Sequence, residues 1–148
     1  MNETATRTSS AVWRDGQPLG SYLVRVGRVL EERLEAVLSE VGLSPAKLHV
    51  LTQLVEARDP VALSELAARM SCVRSNVTQL VDRMEADGLV RRVDDPADRR
   101  AVRAELTSVG RERQAEGARR FARLEAELQS RLDDADRETL VDLLGRLV

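Results

Sequence analysis

Three observations on the 148-residue sequence predict a mainly α-helical protein with one small β-hairpin. Apolar residues recur every three or four positions over most of the chain. Two short runs between residues 89 and 106 read as strands, the second alternating Val102, Ala104 and Leu106 with Arg103 and Glu105. Ser, Thr or Asp stands at the start of most helical runs, and Gly at the end of two. A hydrophobic share of 43% is enough for a core in a chain of this length.

The elements are read in chain order. Residues 1–15 are polar and patternless and read as a flexible N-terminal arm. From Leu19 the positions Leu23, Val26, Leu30, Leu34, Val37 and Val41 keep helical spacing, and Gly42 closes that helix. Ser44 followed by Pro45 is a strong start signal for a second helix running to about Ala57. The loop "RDPVA" stops it, and Ser64 is placed to cap a short third helix carrying Leu66, Ala67 and Met70. A fourth helix, about residues 74 to 87, has Val77, Leu80, Val81 and Met84 as its apolar stripe and closes at Gly88. Leu89–Val93 and Ala101–Leu106 read as strands, with turn chemistry in "DDPAD" between them. Thr107 caps a long helix to about Leu132, and Asp134 caps a last one holding Leu140, Leu143, Leu144 and Leu147.

Charge and composition exclude several classes of function. The chain carries 25 acidic and 23 basic side chains, a net of −2, so any affinity for a polyanion must be local. Residues 69–103 hold eight arginines against six acids, whereas the remainder has an acidic excess. Lys47 is the only lysine, so the basic side chains are almost all planar, permanently charged guanidiniums. A single cysteine rules out an internal disulfide or a cysteine metal framework, and one histidine makes a metal site improbable. With only Trp13, Tyr22 and Phe121, no aromatic platform for single strands is expected. The N-terminus has no apolar h-region and no run reaches about 18 apolar residues, so the expected protein is soluble and cytoplasmic, without a membrane partner. No nucleophile elbow, phosphate loop or Cys–His motif points to an enzyme, and no cofactor is expected.

Function is carried by "MSCVRSNVTQLVDRME", residues 70–85, together with the two strands after it. Two helices joined by a tight turn and followed at once by a two-stranded wing form a winged helix-turn-helix, whose second helix fits the major groove of DNA. The continuous segment "LAARMSCVRSNVTQLVDRMEADGLVRRVDDPADRRAVRAELT", residues 66–107, resembles the DNA-binding lobe of the MarR family of bacterial transcription regulators. The most specific match is the wing, with "DRR" at 98–100 and "LT" at 106–107.

The resemblance implies a homodimeric repressor, often of genes adjacent to its own, with a roughly palindromic double-stranded operator and release by a small phenolic or anionic effector. Residues 16–42 and 108–148 would form a helical dimerisation region around a DNA-binding lobe at 43–107. The apolar stripes at 19–41 and 134–147 independently suggest two chains sharing them. Arg100 matches the wing arginine that enters the minor groove, Asp98 the acid that orients it, and Arg99 lies at the tip facing phosphate. On the fourth helix Asn76 and Gln79 are amides able to pair with adenine, Arg74 and Arg83 can meet guanine or phosphate, and Ser75 and Thr78 complete the polar face.

The sequence departs from the family pattern in the turn, where Ser71, Cys72 and Val73 replace the common Gly-Val-Ser, and at Gln79, where a basic residue is common. Cys72 has two readings: a small buried hydrophobe, or a redox-sensing thiol activated by a helix N-terminus and Arg74. His49 reads as a hydrogen-bonded or partly exposed histidine, with effector contact as the alternative.

Overall fold

The structure, a computed structural model, describes residues 18–71, 73–98 and 101–148. The expected arm at 1–15, Cys72, Arg99 and Arg100 lie outside the described residues. The order of elements is α1 (Leu19–Ser39), α2 (Pro45–Ala57), β1 (Val61–Ala62), α3 (Leu63–Arg69), α4 (Arg74–Ala86), β2 (Val90–Asp94), β3 (Val102–Leu106), α5 (Ser108–Gln129) and α6 (Asp134–Gly145). The chain divides into two compact units between Arg33 and Leu34, within α1. In the first, the Arg25 guanidinium lies 5.4 Å from the centroid of the Tyr22 ring, and Arg28 pairs with Glu32 one turn on.

The second unit holds the core. It is built from Leu38 at the end of α1, Val50 and Leu51 of α2, Leu66 of α3, the inner face of α4, and Val90 and Ala104 of the sheet. The α1–α2 corner is set by Gly42, whose φ of 71° lies in the left-handed region that favours glycine. The Gly42 N–H donates to the Ser39 carbonyl and the Leu43 N–H to the Leu38 carbonyl, the paired bonds of a Schellman motif. Ser44 then caps α2 by accepting from the Lys47 N–H at 3.3 Å. Both boundaries agree with the sequence reading.

The sheet has a strand the sequence reading omits. Three antiparallel strands run in the order β1-β3-β2, with Val61 opposite Ala104 and Arg92 opposite Ala104 on the other side. Because Val61 and Ala62 pair with β3, the chain enters α3 directly from a strand. The residue before α3 is Ala62, with no side-chain cap, and Ser64 lies inside the first turn rather than capping it. Smaller shifts have equally local causes. Leu89 is taken by the end of α4, its N–H donating to the Met84 carbonyl, so β2 starts at Val90. Asp133, not Asp134, caps α6 by accepting from the Asp136 N–H at 2.8 Å, and α5 stops at Gln129.

The start of α5 is keyed to the end of α4. Thr107 caps α5, its Oγ1 accepting from the Gly110 N–H at 2.9 Å while lying 2.7 Å from the Gly88 carbonyl and 3.0 Å from that of Leu89 as donor. Gly110 then passes so close that a β-carbon there would sit 1.9 Å from the Leu89 carbonyl oxygen. A helix-interior glycine normally gains about 1 kcal/mol on replacement by alanine. Here backbone blocks the methyl, so the sign reverses: Gly110→Ala should lower stability by about 1–3 kcal/mol. Urea unfolding of the two proteins checks this, and an unchanged or raised midpoint would refute the close approach.

Candidate nucleic-acid interface

The α4 helix is held by its apolar stripe. Val77, Val81 and Met84 are 1%, 0% and 0% exposed, while most of the opposite side is open to solvent. Val73 precedes it with extended backbone and no side-chain capping bond. Ser71 has a φ of 51°, the left-handed conformation for which the family's common glycine is better suited. At the other end Gly88, with φ 71°, repeats the Schellman pattern through bonds to the Glu85 and Met84 carbonyls.

The polar surface of α4 divides into two flanks. Asn76, Gln79 and Arg83, spaced i, i+3 and i+7, share one flank and are exposed. They border a cleft of about 300 Å³ floored by Met70, Val77 and Leu80, with Ala46 of α2 on its far side. Thr78, Asp82 and Glu85 share the other flank, spaced i, i+4 and i+7, and face the wing. There the Arg92 guanidinium forms an ion pair with Asp82, lies 3.8 Å from Glu85 Oε2, and reaches the Thr78 carbonyl at 3.5 Å. The Arg92 backbone N–H donates to Glu85 Oε1 at 2.9 Å. Thr78 Oγ1 donates to the Arg74 carbonyl at 3.0 Å, so Thr78 sits apart from the Asn76–Gln79–Arg83 group. Ser75 is exposed between the flanks.

The acids of the helix are therefore occupied and its arginines are not. Asp82 and Glu85 both meet Arg92, whereas the Arg74 and Arg83 guanidiniums have no hydrogen-bond or ion-pair partner among the described residues. A guanidinium in water with no internal carboxylate is free to take a phosphate or a guanine edge.

The wing is organised by residues the sequence reading did not single out. Asp95 is 8% exposed, at the end of β2. Its Oδ1 accepts from the Ala97 N–H at 2.8 Å and its Oδ2 from Arg103 Nε at 2.6 Å, and Arg103 Nη1 donates to the Pro60 carbonyl at 3.1 Å. One carboxylate thus joins the loop, β3 and the approach to β1. The loop is closed by the Asp95 N–H on the Ala101 carbonyl and the Ala101 N–H on the Asp98 carbonyl. Asp98 is exposed. Across the hairpin Arg91 pairs with Glu105, its register partner. The turn composition of "DDPAD" pointed to this loop, but only the fold brings Arg103 to Asp95.

His49 is exposed on α2. Among the described residues no group of His, Cys, Asp and Glu could hold a metal ion, and no helix is long and apolar enough to cross a membrane.

The Asp95 carboxyl is held below the usual aspartate range by the Ala97 N–H first and the Arg103 guanidinium next. A depressed value in the folded state means a stabilisation present above the unfolded value of about 3.9 and lost as the pH falls through the folded one. Asp95→Asn should lower stability at pH 7 and flatten the acid limb of the stability profile below about pH 4. Urea midpoints from pH 7 down to acid unfolding test this; parallel profiles for both proteins would mean that Asp95 does not anchor the wing.

Comparison with known proteins places this geometry. A sequence profile of the MarR family matches residues 43–102. The HTH-type transcriptional regulator YsmB of Bacillus subtilis is 34% identical over 88 residues, 60% of each chain. The match therefore spans less than two thirds of that relative. A protein of Thauera aromatica described as a transcriptional regulatory protein for the hcr operon is 32% identical over 131 residues, 87% of this chain and 78% of its own. Among solved structures, a cysteine-to-serine mutant of MarR from Escherichia coli, complexed with operator DNA, superposes with a TM-score of 0.76 at 26% identity, covering 88% of this chain and 94% of that one. With its mainly helical fold, three-stranded wing sheet and exposed α4 face, the chain belongs to the MarR family.

Proposed function

We propose that this protein is a dimeric, sequence-specific DNA-binding repressor that sets α4 in the major groove and the wing against the adjacent minor groove. The observation that carries the reading is the division of charge on α4: its two acids meet Arg92, and Arg74 and Arg83 are exposed with no ion-pair partner among the described residues. In this reading Asn76, Gln79 and Arg83 read base edges, Ser75 and Arg74 take phosphates, and Thr78 supports the wing-side flank. Arg100 enters the minor groove with Asp98 orienting it, and Arg99 takes a phosphate, as the "DRR" motif implies.

Dimerisation through residues 16–42 and 108–148 is supported by apolar surface that the single chain leaves open. In α1, Leu19, Val24 and Val29 are at least half exposed. The α6 helix has no buried residue, and Leu140, Val141, Leu143 and Leu144 are 41–70% exposed. Faces of this kind mark interfaces. A two-fold dimer calls for a roughly palindromic operator with half-site centres about one helical turn apart.

Release by a small phenolic or anionic effector is supported by the cleft beside α4. Its volume of about 300 Å³ suits a small aromatic acid, with an apolar floor and Arg83 at the rim. A carboxylate held by Arg83 would occupy a side chain that DNA needs.

The test is titration of wild-type protein with a duplex selected by it from a random-sequence pool, at fixed salt. Arg83→Ala and Arg100→Ala should each weaken binding by about 1–3 kcal/mol, and the bound species should contain two chains. Wild-type affinity in both variants, or a single chain bound tightly, would contradict the reading.

A further inference from the structure

We infer that Arg92 is a positioning residue for DNA binding, acting as the internal counterion that removes Asp82 and Glu85 from the field met by the DNA backbone. The inference rests on the DNA-binding reading above and extends it to a residue that touches no DNA in that reading.

The geometry assigns this role to Arg92 alone among the wing arginines of the described residues. Arg91 is matched to Glu105 within the hairpin, and Arg103 is spent on Asp95 and the Pro60 carbonyl. Arg92 leaves β2 in the direction of α4 and meets three positions on one flank of that helix, Thr78, Asp82 and Glu85. Its side chain is 31% exposed, against 51% for Asp82 and 42% for Glu85, so the cation is the more buried partner and the carboxylates lie further out. Those carboxylates stand on the helix that bears Arg74 and Arg83. Uncompensated, they would bring two negative charges to the edge of a groove lined by phosphates, where like charges repel. Without Arg92 the four ionised side chains of α4 sum to zero; with it the surface is net positive.

The same contacts have a second effect. Because Arg92 belongs to β2, the charge correction also links the wing to the recognition helix, and the two present a fixed spacing to adjacent grooves.

Two sets of substitutions by uncharged residues of similar shape separate masking from simple support. In Arg92→Gln the acids are uncovered, and affinity for the selected duplex at fixed salt should fall about tenfold or more. The slope of log affinity against log salt should change by less than the roughly one unit that marks a lost phosphate contact, and a full unit would make Arg92 a DNA contact and overturn the inference. Adding Asp82→Asn and Glu85→Gln to Arg92→Gln should restore affinity to within about threefold of wild type, since no acid remains to be masked. The pair Asp82→Asn and Glu85→Gln with Arg92 intact keeps the test decisive if Arg92→Gln folds poorly: its affinity should equal or exceed that of wild type.

Wild-type affinity in Arg92→Gln would overturn the inference. So would a triple variant as weak as the single one, which would make Arg92 a structural strut only. Weaker binding by the double variant would show the acids to be DNA contacts rather than masked charges. A wild-type protein with no salt-dependent duplex binding would instead remove the DNA-binding reading itself, and this inference with it.

Discussion

The burial of Val77, Val81 and Met84 beneath α4 is the constraint on which the rest depends. A helix of 13 residues is marginal by itself in water, and α4 starts at Arg74 with no side-chain cap among the described residues and with Ser71 in a left-handed conformation just before it. Its N-terminal end therefore gives it little. Each buried side chain contributes about 1.5–3 kcal/mol on leaving water, enough for the three together to hold the helix against those weaknesses. Because the stripe fixes rotation about the helix axis, it also decides which residues face outward. Asn76, Gln79 and Arg83 share a flank because Val77, Leu80 and Met84 point into the protein.

From that anchor the geometry spreads along the chain in both directions. At the C-terminal end of α4, the carbonyls of Gly88 and Leu89 are read by Thr107, and Gly110 packs against Leu89 without room for a β-carbon. The α4 helix thus shares a close-packed junction with α5. Toward the α1–α2 corner, Lys47 of α2 pairs with Asp87 at 2.8 Å, and Arg113 of α5 donates to the Val41 carbonyl at 2.9 Å. A shift of α5 would be transmitted to α4 through polar contacts and close packing. In the proposed dimer that coupling would be the mechanical basis on which dimerisation and DNA binding depend on each other.

Local chemistry made much of the fold legible in the sequence, and non-local pairing hid the rest. Ser44–Pro45 and Thr107 fix a boundary through their own side chains and Gly42 and Gly88 through their own backbone, so they read correctly in isolation. The strand Val61–Ala62 is two residues long and exists only because Ala104 lies beside it, far along the chain. Ser64 looked like a cap because caps are recognised by residue type, yet the preceding strand had already set where α3 begins. Adjacent aspartates at 133 and 134 offered two equally good caps, and a sequence cannot choose between them. The polar face of α4 was legible as a whole but not its division, since that depends on where β2 delivers Arg92. Asp95 and Arg103 were missed for the same reason, being separated in the chain and joined by the hairpin.

The central claim is that α4 lies in the major groove and that two copies do so together. Dimethyl sulfate footprinting of the duplex selected by the wild-type protein tests it most directly, since guanine N7 reports the major groove. The account predicts two patches of protected guanine N7 centred about one helical turn apart on the same face of the duplex. A bound duplex whose guanines remain fully reactive at N7, or one with a single protected patch, would contradict it.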